Sequence, residues 1–481
     1  MREHADLALD LARGAGAAFA DLRVVEERQQ EVGVERLSLK YCTDDERFGY
    51  AVRVLLDGAW GFATGTRLNR DEVARVTRAA LATARASARV PKAEPAEMAP
   101  APAAIATESG PCIVDPFGIP QAEKAELLLT ASRAMLAVPG VVSTHGHVSL
   151  TRVRRFLANT DGSYLDLTNT FVEPVLSATA VVDGESQSRG YQQGGRQAGW
   201  EWMGEADLTG QAGRWAEEAV MKCKADTVPP GRYDLVLDPM HLSLTMHESV
   251  GHPTELDRIL GWEANFAGRS FVNPADLGRL RYGSERVNFS VDNTLPYGLG
   301  SWFFDDDGVR MQAFPMIRDG VLVGLSATRE TAPLIGWPAS NGCCRADGFS
   351  RFPIARIPNL YMEPGPDAVS PEDLIAGIER GIYIEGQGSF SIDQERRNFQ
   401  FGGDLFWLIE GGRKTRPLKK VTYQAMTTDF WSSCDGVAGR AWWAAHGTPN
   451  CGKGEPSQRQ RMTHGASFTR FRDIQVGDGS A

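Results

Sequence analysis

The sequence predicts an α+β protein. An N-terminal α/β-type domain of mixed helices and antiparallel strands precedes a largely antiparallel β domain that carries the helix beginning at Pro239. Three observations predict it. Stretches of helical and strand periodicity alternate through residues 1–228. A linker, Thr227-Val228-Pro229-Pro230-Gly231, then breaks the pattern. Beyond one further helix, the chain reads mostly as short strands with hairpin turns. The expected domains are therefore 1–228, with an Ala/Pro-rich connection at about 90–116, and 229–481.

In chain order, residues 3–19 read as an amphipathic helix with Leu7, Leu11, Ala15 and Ala18 on one face. Residues 21–65 read as strands and 71–88 as a helix. The prolines from Pro91 to Pro116 mark an extended connection. A helix follows Pro120, and Asp161-Gly162 is a hairpin turn within strands at 139–190. The helix at 207–224 places Cys223 on its apolar stripe, as a core residue. After a strand at Arg232–Leu237, Asp238 is an N-cap and Pro239 a first helical residue. Asp319-Gly320 is a second hairpin turn, and Ser370-Pro371 opens the last helix. Arg413 to Lys420 reads as a solvated hairpin.

Composition narrows the function. With 42% hydrophobic and 23% charged residues, disorder is excluded as the main state. A net charge of −10 makes nucleic acid and anionic membranes poor partners. No run approaches the ~18 apolar residues of a membrane span. The charged N-terminus lacks the apolar core of a signal peptide. Seven scattered cysteines suggest a reducing compartment, so the expected location is cytoplasmic.

Histidine is rare, at eight residues, yet two flank a glutamate in His247-Glu248-Ser249-Val250-Gly251-His252. Chance supplies about 0.02 such His-acid-x-x-x-His matches in a chain of this composition. On a regular helix, a spacing of five leaves the second imidazole roughly 140° from the first. Both reach one metal only if the backbone departs from α geometry. Gly251 permits that as a left-handed cap or as a widened turn. A catalytic zinc takes three protein ligands and keeps a position for water, whose proton Glu248 would accept. Two histidines are one ligand short. The competing reading is a pair of buried, hydrogen-bonded histidines.

This motif, followed by Pro253-Thr254-Glu255-Leu256-Asp257, resembles the TldD branch of the TldD/PmbA (TldD/TldE) metallopeptidases. The resemblance continues through residues 301–312, 355–362 and 386–410, and through Asn450-Cys451-Gly452-Lys453. It implies a zinc site of His247, His252 and Cys451, one ion per chain, with Glu248 as base. A soft thiolate favours zinc over iron or manganese. The resemblance also implies extended or partly unfolded peptide substrates. It implies a dimer as well, with a PmbA/TldE-like subunit or as a homodimer.

Gly386 and Gly388, next to Ser389, offer a strand edge to a peptide, because glycine admits a second backbone. Glu255 and Asp257 either hold a ligand imidazole or form a solvated turn. Asp305, Asp306 and Asp307 read as an exposed turn, and Cys343 and Cys344 as packing residues. Two alternatives remain open. One is an amide hydrolase for a modified peptide or secondary-metabolite precursor. The other is a non-catalytic subunit whose structural metal takes His446, Cys434 or His464 as fourth ligand.

Overall fold

The computed structural model describes residues 1–90 and 94–477. Helix α1 (Arg2–Gly14) leads into the long strands β1 (Phe19–Glu35) and β2 (Ser38–Leu56), then β3 (Ala59–Gly65) and α2 (Arg70–Ser87). The buried stripe of α1 is Ala5, Ala8, Leu9 and Ala12, not the Leu7 and Leu11 face expected. The helix ends at Gly14, with Gly16 in a left-handed turn, so its last turn cannot carry Ala18 inward.

The Ala/Pro-rich connection is not wholly extended loop. It contains β4 (Ile105–Ser109), which pairs in parallel with a later strand. Pro91 lies outside the described residues. Next come α3 (Gln121–Leu136), β5 (Val141–Asn159) and β6 (Tyr164–Val182), with β5 and β6 joined at the Asp161-Gly162 turn. β7 (Glu185–Gly190), α4 (Trp202–Ala206) and α5 (Leu208–Cys223) complete this half.

These strands form one sheet in the order β3-β2-β1-β5-β6-β4, with β7 beside β6. One face is apolar and helix-covered. Ala20, Leu22 and Val24 of β1 pack with α1 and α2, and Val32 and Val34 pack with α3 and α5. The strand period of two sends Asp21, Arg23 and Val25 to the opposite face, which meets the C-terminal half.

The C-terminal half opens with β8 (Asp226–Thr227), β9 (Gly231–Leu237) and α6 (Pro239–Met246). Asp238 caps α6, accepting from the His241 N–H at 2.7 Å. β9 lies inside a ten-stranded sheet, between Thr469–Gly477 and Arg380–Glu385. A six-stranded sheet ends in the hairpin of Ala444–Lys453 and Gln458–Ala466. α6 touches both sheets, and their side chains share one core around Leu242, Met246 and Val250.

Asp305, Asp306 and Asp307 do not form an exposed turn. All three are buried, and Asp306 and Asp307 tie the two halves together. Asp306 takes Arg155 at 2.9 Å and Arg23 at 3.3 Å, and Asp307 takes Arg53 at 2.9 Å. Buried carboxylates persist where cations match them, and the N-terminal sheet supplies those cations. Cys343, Cys344 and Cys223 are buried packing residues.

Candidate metal centre

α6 does not end where the α-helix does. His247–Gly251 continues it as a π-turn, in which the His252 N–H reaches back to the His247 carbonyl. One extra residue per turn brings positions five apart onto one face. The two imidazoles lie 4.9 Å apart between ring centroids, at 81°. Gly251 keeps right-handed angles (φ −60°, ψ −62°), so the widened turn is correct and the left-handed cap is not. Glycine is needed there for space: a Cβ would lie 3.0 Å from Ile357.

Cys451 arrives on the strand Ala444–Lys453 and packs on Ile357 and Met462. Its Sγ lies 3.5 Å from His252 Nε2. Ligand atoms of His247, His252 and Cys451 all fall within 4.8 Å of one another, and all three residues are buried. Burial pushes the Cys451 thiol up, but the His252 imidazole and the Arg356 guanidinium outweigh it, and the net shift is downward.

The orientation of each imidazole follows from its partner. The Leu360 carbonyl can only accept, so His464 carries its proton on Nδ1, 3.2 Å away. Burial pushes the His464 pKa well below its ordinary value, so its Nε2 keeps a lone pair. That atom accepts from His247 Nδ1–H at 2.7 Å, which leaves the His247 Nε2 lone pair free for a metal. His252 Nδ1–H donates to Glu255 Oε2 at 2.8 Å, which frees Nε2 beside the sulfur. Burial also lowers the pKa values of His247 and His252, so both are neutral donors.

Behind Glu255 lies a closed ionic network. Lys453 Nζ reaches Asp257 Oδ1 at 2.6 Å and Glu255 Oε1 at 3.2 Å, and Arg258 Nη2 reaches Glu263 Oε1 at 2.9 Å. All five side chains are buried, so the solvated-turn reading of Glu255 and Asp257 is wrong. Only Glu255 touches an imidazole; Asp257 acts on Lys453. Desolvation opposes the charge on Lys453, yet Asp257, Glu255 and Glu263 together raise its pKa. Lys453 stands two residues after Cys451 on the same strand, so both side chains leave one face.

Glu248 is nearly buried and forms a direct ion pair through Oε2 with Arg396 Nη1. Arg396 sits at the tip of the hairpin between Phe390–Ile392 and Asn398–Gly402, in a left-handed conformation (φ 64°). Gly386 and Gly388 do not leave room for an incoming backbone. The Gly386 N–H donates to Asp238 Oδ1 at 3.0 Å, and its carbonyl meets His241 Nδ1 at 2.8 Å. A Cβ on Gly388 would lie 2.2 Å from the Gly403 carbonyl, so the close approach is made within the chain. The Ser389 carbonyl accepts from the Gly402 N–H at 2.7 Å. The neighbouring strand Phe390–Ile392 lies at the end of its sheet, with Phe390 exposed.

None of the three candidates for a fourth ligand joins the cluster. His464 spends both nitrogens on Leu360 and His247, Cys434 packs in the main core, and His446 is not among the gathered ligands. His464, Lys453 and Arg396 are the site residues to which sequence reasoning gave no supporting role. The strand spacing from Cys451 to Lys453 was the one available signal.

Two imidazoles and a thiol of lowered pKa, converging beside a carboxylate, are a donor set of the kind a catalytic zinc takes. The comparisons with known proteins agree. Three family models cover successive parts of the chain: PmbA/TldA metallopeptidase domain 1 at 20–84, the central domain at 114–225 and the C-terminal domain at 230–477. The chain belongs to this PmbA/TldD metallopeptidase family.

A protein of Methanothermobacter thermautotrophicus named Metalloprotease is 30% identical over 95% of both chains. A Zinc metalloprotease TldD homolog of Saccharolobus solfataricus is 27% identical over 42% of this chain and 43% of its own. Among solved structures, one from Thermotoga maritima superposes with TM-score 0.78 at 19% identity, covering 99% of this chain and 100% of that one. TldE from Thermococcus kodakarensis gives 0.73 at 16%, covering 98% and 99%. These likenesses show the fold.

Proposed function

We propose that the chain is a zinc-dependent peptidase that cleaves extended or partly unfolded peptides, with Glu248 as general base. The observation that carries this is the gathering of His247, His252 and Cys451 ligand atoms within 4.8 Å, with Glu248 next to the first of them. The donor set fits zinc, since it offers two free imidazole lone pairs and a thiol of lowered pKa. When bound, the ion would acidify a water and polarise the scissile carbonyl.

Within this reading, Glu248 accepts the proton of the attacking water as the oxygen bonds to the carbonyl carbon. It then delivers that proton to the leaving amine as the C–N bond breaks. Arg396 holds one carboxylate oxygen and aims the other. His464 and Glu255 fix the ring planes of the two ligand imidazoles. The substrate adds as a strand along Phe390–Ile392, next to Gly388 and Ser389, on the hairpin that carries Arg396. The chain pairs with a second chain of this fold, a PmbA/TldE-like subunit or a copy of itself, in the cytoplasm.

The test replaces Glu248 by Gln in zinc-loaded protein. Hydrolysis of a casein-derived peptide mixture is expected to fall by about 10²-fold or more while zinc is retained. An unchanged hydrolytic rate would overturn the base assignment.

A further inference from the structure

A cavity of about 450 Å³ lies between the uncovered face of the N-terminal sheet and the C-terminal half. That is the size of a ligand site. Its lining carries six arginines, at 23, 47, 155, 345, 459 and 461, against three carboxylates, Glu27, Asp306 and Asp347. The balance is 6 − 3 = +3 in a chain of net charge −10. Glu173 stands just outside and pairs with Arg461 at 3.1 Å, which still leaves +2.

The excess is built into the walls. Arg23 and Arg155 are buried and share one carboxylate, Asp306. The Nε of each has no hydrogen-bond partner among the described residues. Arg345 is buried and donates to the Arg461 and Ile357 carbonyls, which leave its charge in place. Trp302 adds an apolar wall, with the Arg155 guanidinium 4.4 Å from its ring centroid.

The cavity also borders the metal centre's own strands. Asn450, which lines it, precedes Cys451, and Gln460, which also lines it, is the cross-strand partner of Cys451.

We infer that this cavity receives the acidic part of a peptide substrate, a carboxylate side chain or a C-terminal carboxylate. The inference rests on the peptidase reading and names the substrate class for it. Guanidinium groups lining a shielded cavity prefer a carboxylate to an amide, because the bond is charge-assisted and solvent is scarce.

The experiment measures binding, so it needs no turnover. Zinc-loaded Glu248→Gln protein is titrated with a fluorescent heptapeptide ending in Glu-Glu with a free carboxylate. Its counterpart ends in Gln-Gln-amide. The acidic peptide is expected to bind about ten-fold tighter or better. The preference is expected to persist after the zinc is chelated, and to shrink toward parity in Arg47→Glu/Arg459→Glu. Both of those side chains are on the solvent rim, and a melting curve checks that the variant is folded.

Equal affinity for the two peptides would overturn the inference. So would a preference that vanishes with the zinc, or one indifferent to the double substitution. Displacement of the acidic peptide by equimolar inorganic phosphate would assign the cavity to phosphate and also overturn it. None of these outcomes touches the base assignment, which Glu248→Gln tests by hydrolysis.

Discussion

Two of the carboxylate clusters buried among the described residues do different work. Within Asp305–Asp307, Asp306 and Asp307 meet Arg23, Arg53 and Arg155 from the N-terminal sheet and hold the two halves together. Glu255, Asp257 and Glu263 meet Lys453 and Arg258 within the C-terminal half and end on a ligand imidazole. The first cluster is a joint. The second is a support that ties the helix bearing His252 to the strand bearing Cys451. A short acidic run in sequence is thus no guide to its role; the cation it meets decides.

The largest expected effect comes from breaking the joint. Asp306→Ala leaves Arg23 and Arg155 buried without their shared carboxylate. It should lower stability by about 3–5 kcal/mol in urea unfolding. A change under about 1 kcal/mol would mean that water reaches those guanidinium groups. Breaking the support should separate stability from metal binding. Lys453→Met strands Glu255 and Asp257, and zinc affinity should fall about 10–100-fold in competition with a chelator. If the comparison holds, Asp306→Ala leaves the zinc affinity of the folded fraction unchanged.

A smaller effect is expected at His464→Phe. The variant removes the acceptor that fixes His247 without deleting a charge. Zinc affinity should drop by about 10-fold, with stability nearly unchanged.

The smallest effect is a pH dependence at the α6 cap. Burial pushes Asp238 up to about 7, helped by Glu385. Its folded-state pKa therefore lies above the ordinary value of 3.8, and folding takes up a proton between the two. The associated stability is full below pH 4 and is lost as pH rises through 7. Asp238→Asn keeps the cap and should flatten that part of the stability curve; a persisting slope would point to another group.

Much of this was legible in the chain. The Asp161-Gly162 turn, the Asp238-Pro239 helix start, the Ser370 cap and the five-residue histidine spacing are local signals, and the structure holds each of them. The spacing also demanded a departure from α geometry, which is the π-turn. The partnerships were hidden because they are long-range. Asp306 finds Arg155 151 positions away, and His247 finds His464 217 positions away. A triplet of aspartates read alone looks solvated, since only the tertiary fold supplies its cations. Gly388 was misread for a similar reason: the backbone it admits is Gly403 of the same chain.

The most direct test of the account is the metal shell itself. Purified protein loaded with zinc should hold about one ion per chain, and X-ray absorption should show two imidazole nitrogens and one sulfur. Cys451→Ala should lose the sulfur signal and most of the zinc. A sulfur-free shell in the unaltered protein, or full zinc occupancy in Cys451→Ala, would contradict the site.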